Sequence, residues 1–178
     1  MSDSPIGTIA AYGGELNVVD QGQRVVVGND WLLCNGAALD SKKDALIYAA
    51  IKNAHGNGSD DPSPDTDFNL PDYRGYFLRG VSGPTGRDPD AKTRIANHQG
   101  GFVGEKIGSI QGYDVQRHNH GIRGVHLEAS GGNGFDGTGL FTNSAQNGPW
   151  QKDGATYDAG DSETRPINAY VHWIIRFK

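Results

Sequence analysis

Apolar residues in this chain come in short clusters set between runs of Gly, Asn, Asp and Ser, and the spacing inside each cluster predicts a short element. Gly7-Thr8-Ile9-Ala10-Ala11-Tyr12, β-branched at its centre and closed by Gly13-Gly14, predicts a first strand. Val25-Val26-Val27 and Trp31-Leu32-Leu33-Cys34 predict two more. From Ser41 to Ala54 the period becomes helical: Ser41 can cap, Asp44 follows three residues later, Ile47, Ile51 and Ala54 share a face, and Gly56 ends the run. Gly56 to Asp67 is a loop by composition. After Phe68–Gly80 the apolar periodicity weakens as far as about Lys106, and Ala129 to Asp161 is a polar run broken by Phe135, Leu140, Phe141, Trp150 and Tyr157, which predicts a long, exposed, functional loop. At the end of the chain Ala169, Val171, Trp173 and Ile175 alternate with Tyr170, His172, Ile174 and Arg176, the period of a half-buried strand. The expected fold class is mainly β with one short α-helix, an α+β arrangement rich in loops.

Composition sharpens this picture. Glycine supplies 27 of 178 residues, about double the usual ~7%, so short strands and loops are expected over long helices. The size suits one compact domain. Sixteen Lys and Arg against 21 Asp and Glu leave a net charge of −5, which argues against nucleic acid as a partner. The opening Met1-Ser2-Asp3-Ser4-Pro5 is not a secretory signal. No run approaches the ~18 apolar residues of a membrane span, so a soluble product without membrane insertion is expected. Cys34 is the one cysteine; it excludes an internal disulfide and a multi-cysteine zinc site, and its apolar flanks predict a buried structural thiol.

Several segments, in order, resemble the phage tail collar domain family. They are Pro5-Ile6-Gly7-Thr8-Ile9, then Trp31-Leu32-Leu33-Cys34-Asn35-Gly36, the short helix, Phe68-Asn69-Leu70-Pro71-Asp72-Tyr73-Arg74-Gly75 and Phe77-Leu78-Arg79-Gly80. Further on, Gly108-Ser109-Ile110-Gln111-Gly112-Tyr113-Asp114, His118-Asn119-His120 and Glu163-Thr164-Arg165-Pro166-Ile167-Asn168 are similar to the distal ends of phage and prophage tail fibres. The resemblance implies a collar-type domain forming an intertwined homotrimeric fibre tip. It divides the chain into a collar-like domain at 4–80, a connecting segment at 81–128 with the His-x-His motif, a variable tip loop at 129–162 and a C-terminal strand at 163–178. Two departures stand out: Glu15 to Asp30 makes a longer first loop, and Tyr73 stands where Leu is more usual. With the collar pattern starting at Pro5, such a tip has to dock on a fibre shaft or baseplate protein.

His118 and His120 are the sharpest candidate for chemistry. Residues i and i+2 of an extended segment share a face, so two imidazoles can converge, and three chains around a threefold axis offer six. Six imidazoles suit an octahedral first-row metal, while structural zinc takes four ligands; Fe(II) on the trimer axis is the first expectation and Zn(II) the second. The resemblance implies the same axial metal. Enzymatic readings of the motif fail. An HNH nuclease spreads its residues over a ββα unit on a basic surface, and a binuclear HxHxDH hydrolase needs an Asp where Gly121, Ile122 and Arg123 stand.

Of the remaining histidines, His55, His98, His126 and His172 have no partner at metal spacing and read as structural or exposed. Asp60, Asp61, Asp65 and Asp67 lack the spacing of an EF-hand loop. Arg74, Arg79 and Arg165, flanked by Gly or Pro, are expected to pin loops, and Gly36, Gly75 and Gly80 to allow positive φ or close approach. The leading functional expectation is a non-enzymatic receptor-binding tip in a virion tail, assembled in the host cytoplasm and acting outside it. Phe135, Phe141, Asn143, Trp150 and Tyr157 would meet a host-surface glycan or protein. The alternative is a collar, baseplate or adaptor component with no receptor contact.

Overall fold

A computed structural model of the chain describes residues 4–16, 20–60, 65–114 and 166–178. Among these residues the fold is mainly β with one short helix, as the pattern predicts. Strands β1 (Ile9–Tyr12), β2 (Val26–Val27), β3 (Trp31–Leu33) and β4 (Ala38–Leu39) precede helix α1 (Ala45–Ile51). They are followed by β5 (Phe68–Asn69), β6 (Ile95–Ala96), β7 (Ser109–Ile110) and β8 (His172–Arg176). Four strands make an antiparallel sheet in the order β1-β8-β3-β2, while β4 pairs with β5 and β6 with β7. The chain divides into two units, residues 1–112 with 167–178 and residues 113–166; everything below concerns the first.

Strand β8 lies between β1 and β3, with Ile175 opposite both Ile9 and Leu32, and Ile174 opposite Ala10 and Leu33. Side chains alternate across a strand, so Ile175 and Leu32 enter one core with Cys34, Ala37, Leu39, Ile47, Ile51, Phe68 and Leu70. Ile174 and Leu33 enter a second, smaller core with Val25 and Val27 on the opposite face. The half-buried strand expected at the end of the chain is therefore covered on both faces at its centre, and residues 169–171 fall outside it. Period two reveals that the faces differ in neighbours; it cannot reveal that each face has its own apolar cover.

Helix α1 is shorter than the Ser41–Ala54 span its periodicity predicts. Ser41 does not cap it: its backbone N–H and hydroxyl donate to the Asp67 carboxylate at 2.8 and 2.6 Å. Lys43 and Asp44 donate backbone N–H groups to the Asp40 carbonyl, making a turn before the helix, and Asp44 takes the N-cap position. At the other end Lys52 turns to φ 49° and stops the run. Ile47, Ile51 and Ala54 are all buried as expected, the last from the turn that follows. In the polar stretch β6 forms where no element was predicted, and it pairs with β7 in the Gly108–Asp114 motif just beyond, Ile95 opposite Ile110. No helix among the described residues is long and apolar enough to cross a membrane.

Because Ile175 is 1% exposed and sits where three strands and the main core meet, Ile175→Ala should lower the unfolding free energy by about 2–5 kcal/mol. Leu46→Ala, on the 61%-exposed outer face of α1, should change it by less than ~0.5 kcal/mol. Urea denaturation at fixed protein concentration measures both.

Candidate functional site

The two most distinctive motifs meet in space. Asn35 and Asp72 form an isolated antiparallel bridge, joining Trp31–Gly36 to Phe68–Gly75. Each motif contributes a buried asparagine, and both are nearly sealed from solvent. The Asn35 amide donates to the Asp20 carboxylate at 2.7 Å and the Gln23 carbonyl at 2.8 Å, while its oxygen accepts from the Ala37 N–H. Asn69 donates to the Gly36 carbonyl at 3.1 Å and accepts from the Gly58 N–H at 2.8 Å. A buried amide is tolerated only when its polar atoms are paired, and here each one staples loops that no strand ladder holds.

Arg74 closes the same cluster. Its guanidinium grips Asp72 through Nε at 2.9 Å and Nη2 at 2.6 Å and reaches Asp20 through Nη1 at 3.2 Å, a fork that Lys could not reproduce. These carboxylates hold its pKa above the ordinary guanidinium value. For Asp20, burial works toward a higher pKa but is outweighed by the Gly22 N–H, the Asn35 amide and Arg74, so its carboxyl titrates below the usual range. The loop-pinning role expected of Arg74 is what the geometry shows. Gly36 packs under this cluster at φ 78°, and a Cβ there would stand 2.8 Å from His98 Nε2, so the motif glycine is needed for conformation and for space. Gly75 also takes positive φ, whereas Gly80 does neither.

Cys34 is buried as expected, and desolvation, followed by the nearby Asp72 charge, pushes its thiol pKa well up, which makes it a poor nucleophile. Tyr73, the residue unusual at its position, lies edge-on to His55 with ring centres 5.8 Å apart; burial, then Cys34, pushes its hydroxyl up to about 12. His55 belongs to the interior, and His98 is half-buried beside it. His98 Nδ1 is 3.1 Å from Asp60, while His98 Nε2 and His55 Nδ1 are buried with no hydrogen-bond partner. His172 is exposed. Among the described residues no cluster of three or more His, Cys, Asp or Glu could hold a metal ion.

Residues 73–112 carry a cavity of about 300 Å³. Its organising residue is Arg94, which donates to the Ser109 hydroxyl and carbonyl at 3.0 Å each, to Gln111 Oε1 at 3.1 Å and to Asp88 at 3.4 Å. Arg79 shares Asp88 at 3.6 Å and donates to the Arg87 carbonyl. Sequence reasoning missed Arg94 and Asp88, because a cation in a polar stretch carries no periodic signal; the Gly108–Gly112 segment that receives it was noticed for its motif alone. Around this polar hub Tyr76, Phe77, Leu78, Val81 and Ile107 remain substantially exposed.

The metal candidates His118 and His120, the receptor candidates Phe135, Phe141, Asn143, Trp150 and Tyr157, and also His126 and Arg165 lie outside the described residues.

Residues 7–78 match the family model of the Phage Tail Collar Domain, so this part of the chain is a collar domain. The chain is also 31% identical over 153 residues to Protein RhiB of Rhizobium leguminosarum bv. viciae. That match takes in 86% of this chain and 66% of RhiB, less than two thirds of the relative's length.

Burial, and secondarily the neighbouring His98, lowers the His55 pKa from 6.5 to about 4. The unfolded chain then binds more protons than the folded one between those values. Stability should be intact above pH 6.5 and fall as pH drops toward 4, by on the order of 3 kcal/mol in all. In His55→Leu that window should be flat, which denaturation midpoints at stepped pH would show.

Proposed function

We propose that this collar-domain chain is the distal tip of a tail fibre on a phage or phage-like contractile tail. In this reading it acts as a non-enzymatic homotrimer that contacts a host-surface glycan or protein. The observation that carries the reading is the collar domain at residues 7–78, a structural family of virion tails, folded around the motif cluster of Asn35, Asn69, Asp72 and Arg74. The exposed apolar side chains of residues 76–107 support assembly, since a protein working as a monomer rarely leaves so many uncovered.

His118 and His120 are the residues that would hold a metal on the trimer axis. Two imidazoles per chain at i, i+2 fit an all-nitrogen set for Fe(II), or Zn(II) as second choice. Six protein ligands would leave no open position to activate water or substrate, so the ion would serve as a staple. Phe135, Phe141, Asn143, Trp150 and Tyr157 would supply the receptor surface by ring stacking and amide contacts. The structural alternative, a collar, baseplate or adaptor component without receptor contact, is favoured by one observation: the family match ends at residue 78, ahead of the aromatic loop.

The native mass should be about three times 19.0 kDa, with one metal ion per three chains by elemental analysis. Acid should release the ion as protons compete for the imidazoles, and His118→Ala with His120→Ala should lower the thermal midpoint and favour dissociation. A monomeric, metal-free protein would refute the tip reading.

Trp150→Ala or Phe141→Ala should weaken binding to host cells about tenfold or more while leaving the trimer nearly as stable, as for an aromatic contact residue outside the core. Cell-binding titrations beside thermal melts separate this outcome from the structural alternative, in which neither variant alters attachment.

A further inference from the structure

We propose that His55 and His98 form an acid-operated latch by which residues 97–108 let go of the collar while the four-stranded sheet stays folded. Three hydrogen bonds hold this strap down. The Asn57 N–H donates to the Gln99 carbonyl at 2.9 Å, the Phe102 N–H to the Ala54 carbonyl at 3.0 Å and the Asn97 amide to the Asp72 carbonyl at 2.9 Å. The approach leaves no room for side chains: a Cβ on Gly100 would stand 2.7 Å from the Asn57 side chain, and one on Gly56 2.7 Å from the His98 Cβ. Each histidine faces the other side of this seam. A Cβ on Gly108 of the strap would lie 3.0 Å from His55 Nδ1, and one on Gly36 of the collar 2.8 Å from His98 Nε2. These are the two buried ring nitrogens without a hydrogen-bond partner.

A proton added to either ring makes a buried, charged N–H with no acceptor, which costs far more than the bare lone pair it replaces. The groups that face the pair give little relief. Tyr73 lies edge-on to His55 with Cys34 beyond it, and burial keeps both of these protonated and uncharged in acid. Asp72 lies beside His98 at Gly36, but Arg74 holds its carboxylate. Asp60 meets only the outer nitrogen of His98. Nearby, Lys52 lies over Tyr48, Lys106 over Phe102, and Glu105 accepts from Ser82. Two imidazolium charges in the seam would thus share one carboxylate and repel each other. Opening the strap returns both rings to water. The His55 pKa falls from 6.5 to about 4 on closure, through burial first and His98 second, so the latch is intact above pH 6.5 and weakens as pH drops toward 4. The opening is local because every residue from 97 to 112 is half-buried or exposed, whereas β8 is covered by apolar clusters on both faces.

Hydrogen exchange followed by NMR from pH 7 to 3.5 tests the latch, with protection factors removing the intrinsic pH dependence of exchange. Asn57 and Phe102 send their N–H groups across the seam, and their protection should fall at least ~10-fold between pH 7 and 4.5. Leu33 and Cys34 donate to the Val25 and Trp173 carbonyls, and their protection should change by less than ~3-fold over the same range. In the double variant His55→Leu, His98→Gln the fall at Asn57 and Phe102 should shrink to less than ~3-fold. An undiminished fall in that variant overturns the latch. So does a wild type whose strap stays protected to pH 4.5, or whose sheet opens together with the strap. If the double variant does not fold at pH 7, the ring protons of wild type decide: strap opening that grows until His55 titrates and levels off there upholds the latch, and opening that levels off elsewhere overturns it.

Discussion

The fold depends on one strand being gripped from both sides. Strand β8 ladders with β1 and with β3, and the closure extends beyond the ladder. Gly7 donates to the Arg176 carbonyl, Cys34 to that of Trp173, and Phe177 to that of Asp30. With Ile174 facing one core and Ile175 the other, removing the strand would uncover both cores and strand the backbone groups of its two neighbours at once. The contacts it makes are also the longest-range ones in the sheet, so the main core closes only when the two ends of the described unit have met, and such non-local pairing is paid for in loop-closure entropy before it is rewarded.

Around that sheet the collar is held by amides rather than by further strands. β4 and β5 are two residues each, too short to fix the loops that flank them. Asn35 and Asn69 do so from the interior, one reaching the 20–23 loop and the other spanning from Gly36 to Gly58. Each contribution is modest when satisfied and costly when lost, because the partner group would remain buried without a bond. This gives the collar motifs a physical meaning: the asparagines, Gly36 and Arg74 are the parts of a loop-rich domain that carry geometry, while the apolar letters between them carry core.

Residues 79–112 follow another logic. Their centre is polar, with Arg94 and Asp88 as hub, and most of their large apolar side chains lie outward. A segment organised this way gains little from hydrophobic burial within one chain, which is the physical basis for reading it as an assembly surface.

The short elements were legible in the sequence because their causes are local. β1 and β2 follow from runs with β-branched residues and β3 from the apolar run Trp31-Leu32-Leu33-Cys34, each closed by turn residues, and the buried face of α1 follows from its spacing. The collar family followed from motifs whose order survives in one dimension. What the sequence left open was decided by partners far away along the chain. Asp67 takes the hydroxyl that would have capped α1 at Ser41, and a second apolar cluster covers the face of β8 that alternation marks as outer. Ser109, Gln111 and Asp88 converge on an Arg94 that no periodicity singles out. Propensity and period act over a few residues, whereas the pairing of a buried or charged group is satisfied by whatever the fold brings within about 3 Å, and that is settled only when the chain has closed on itself.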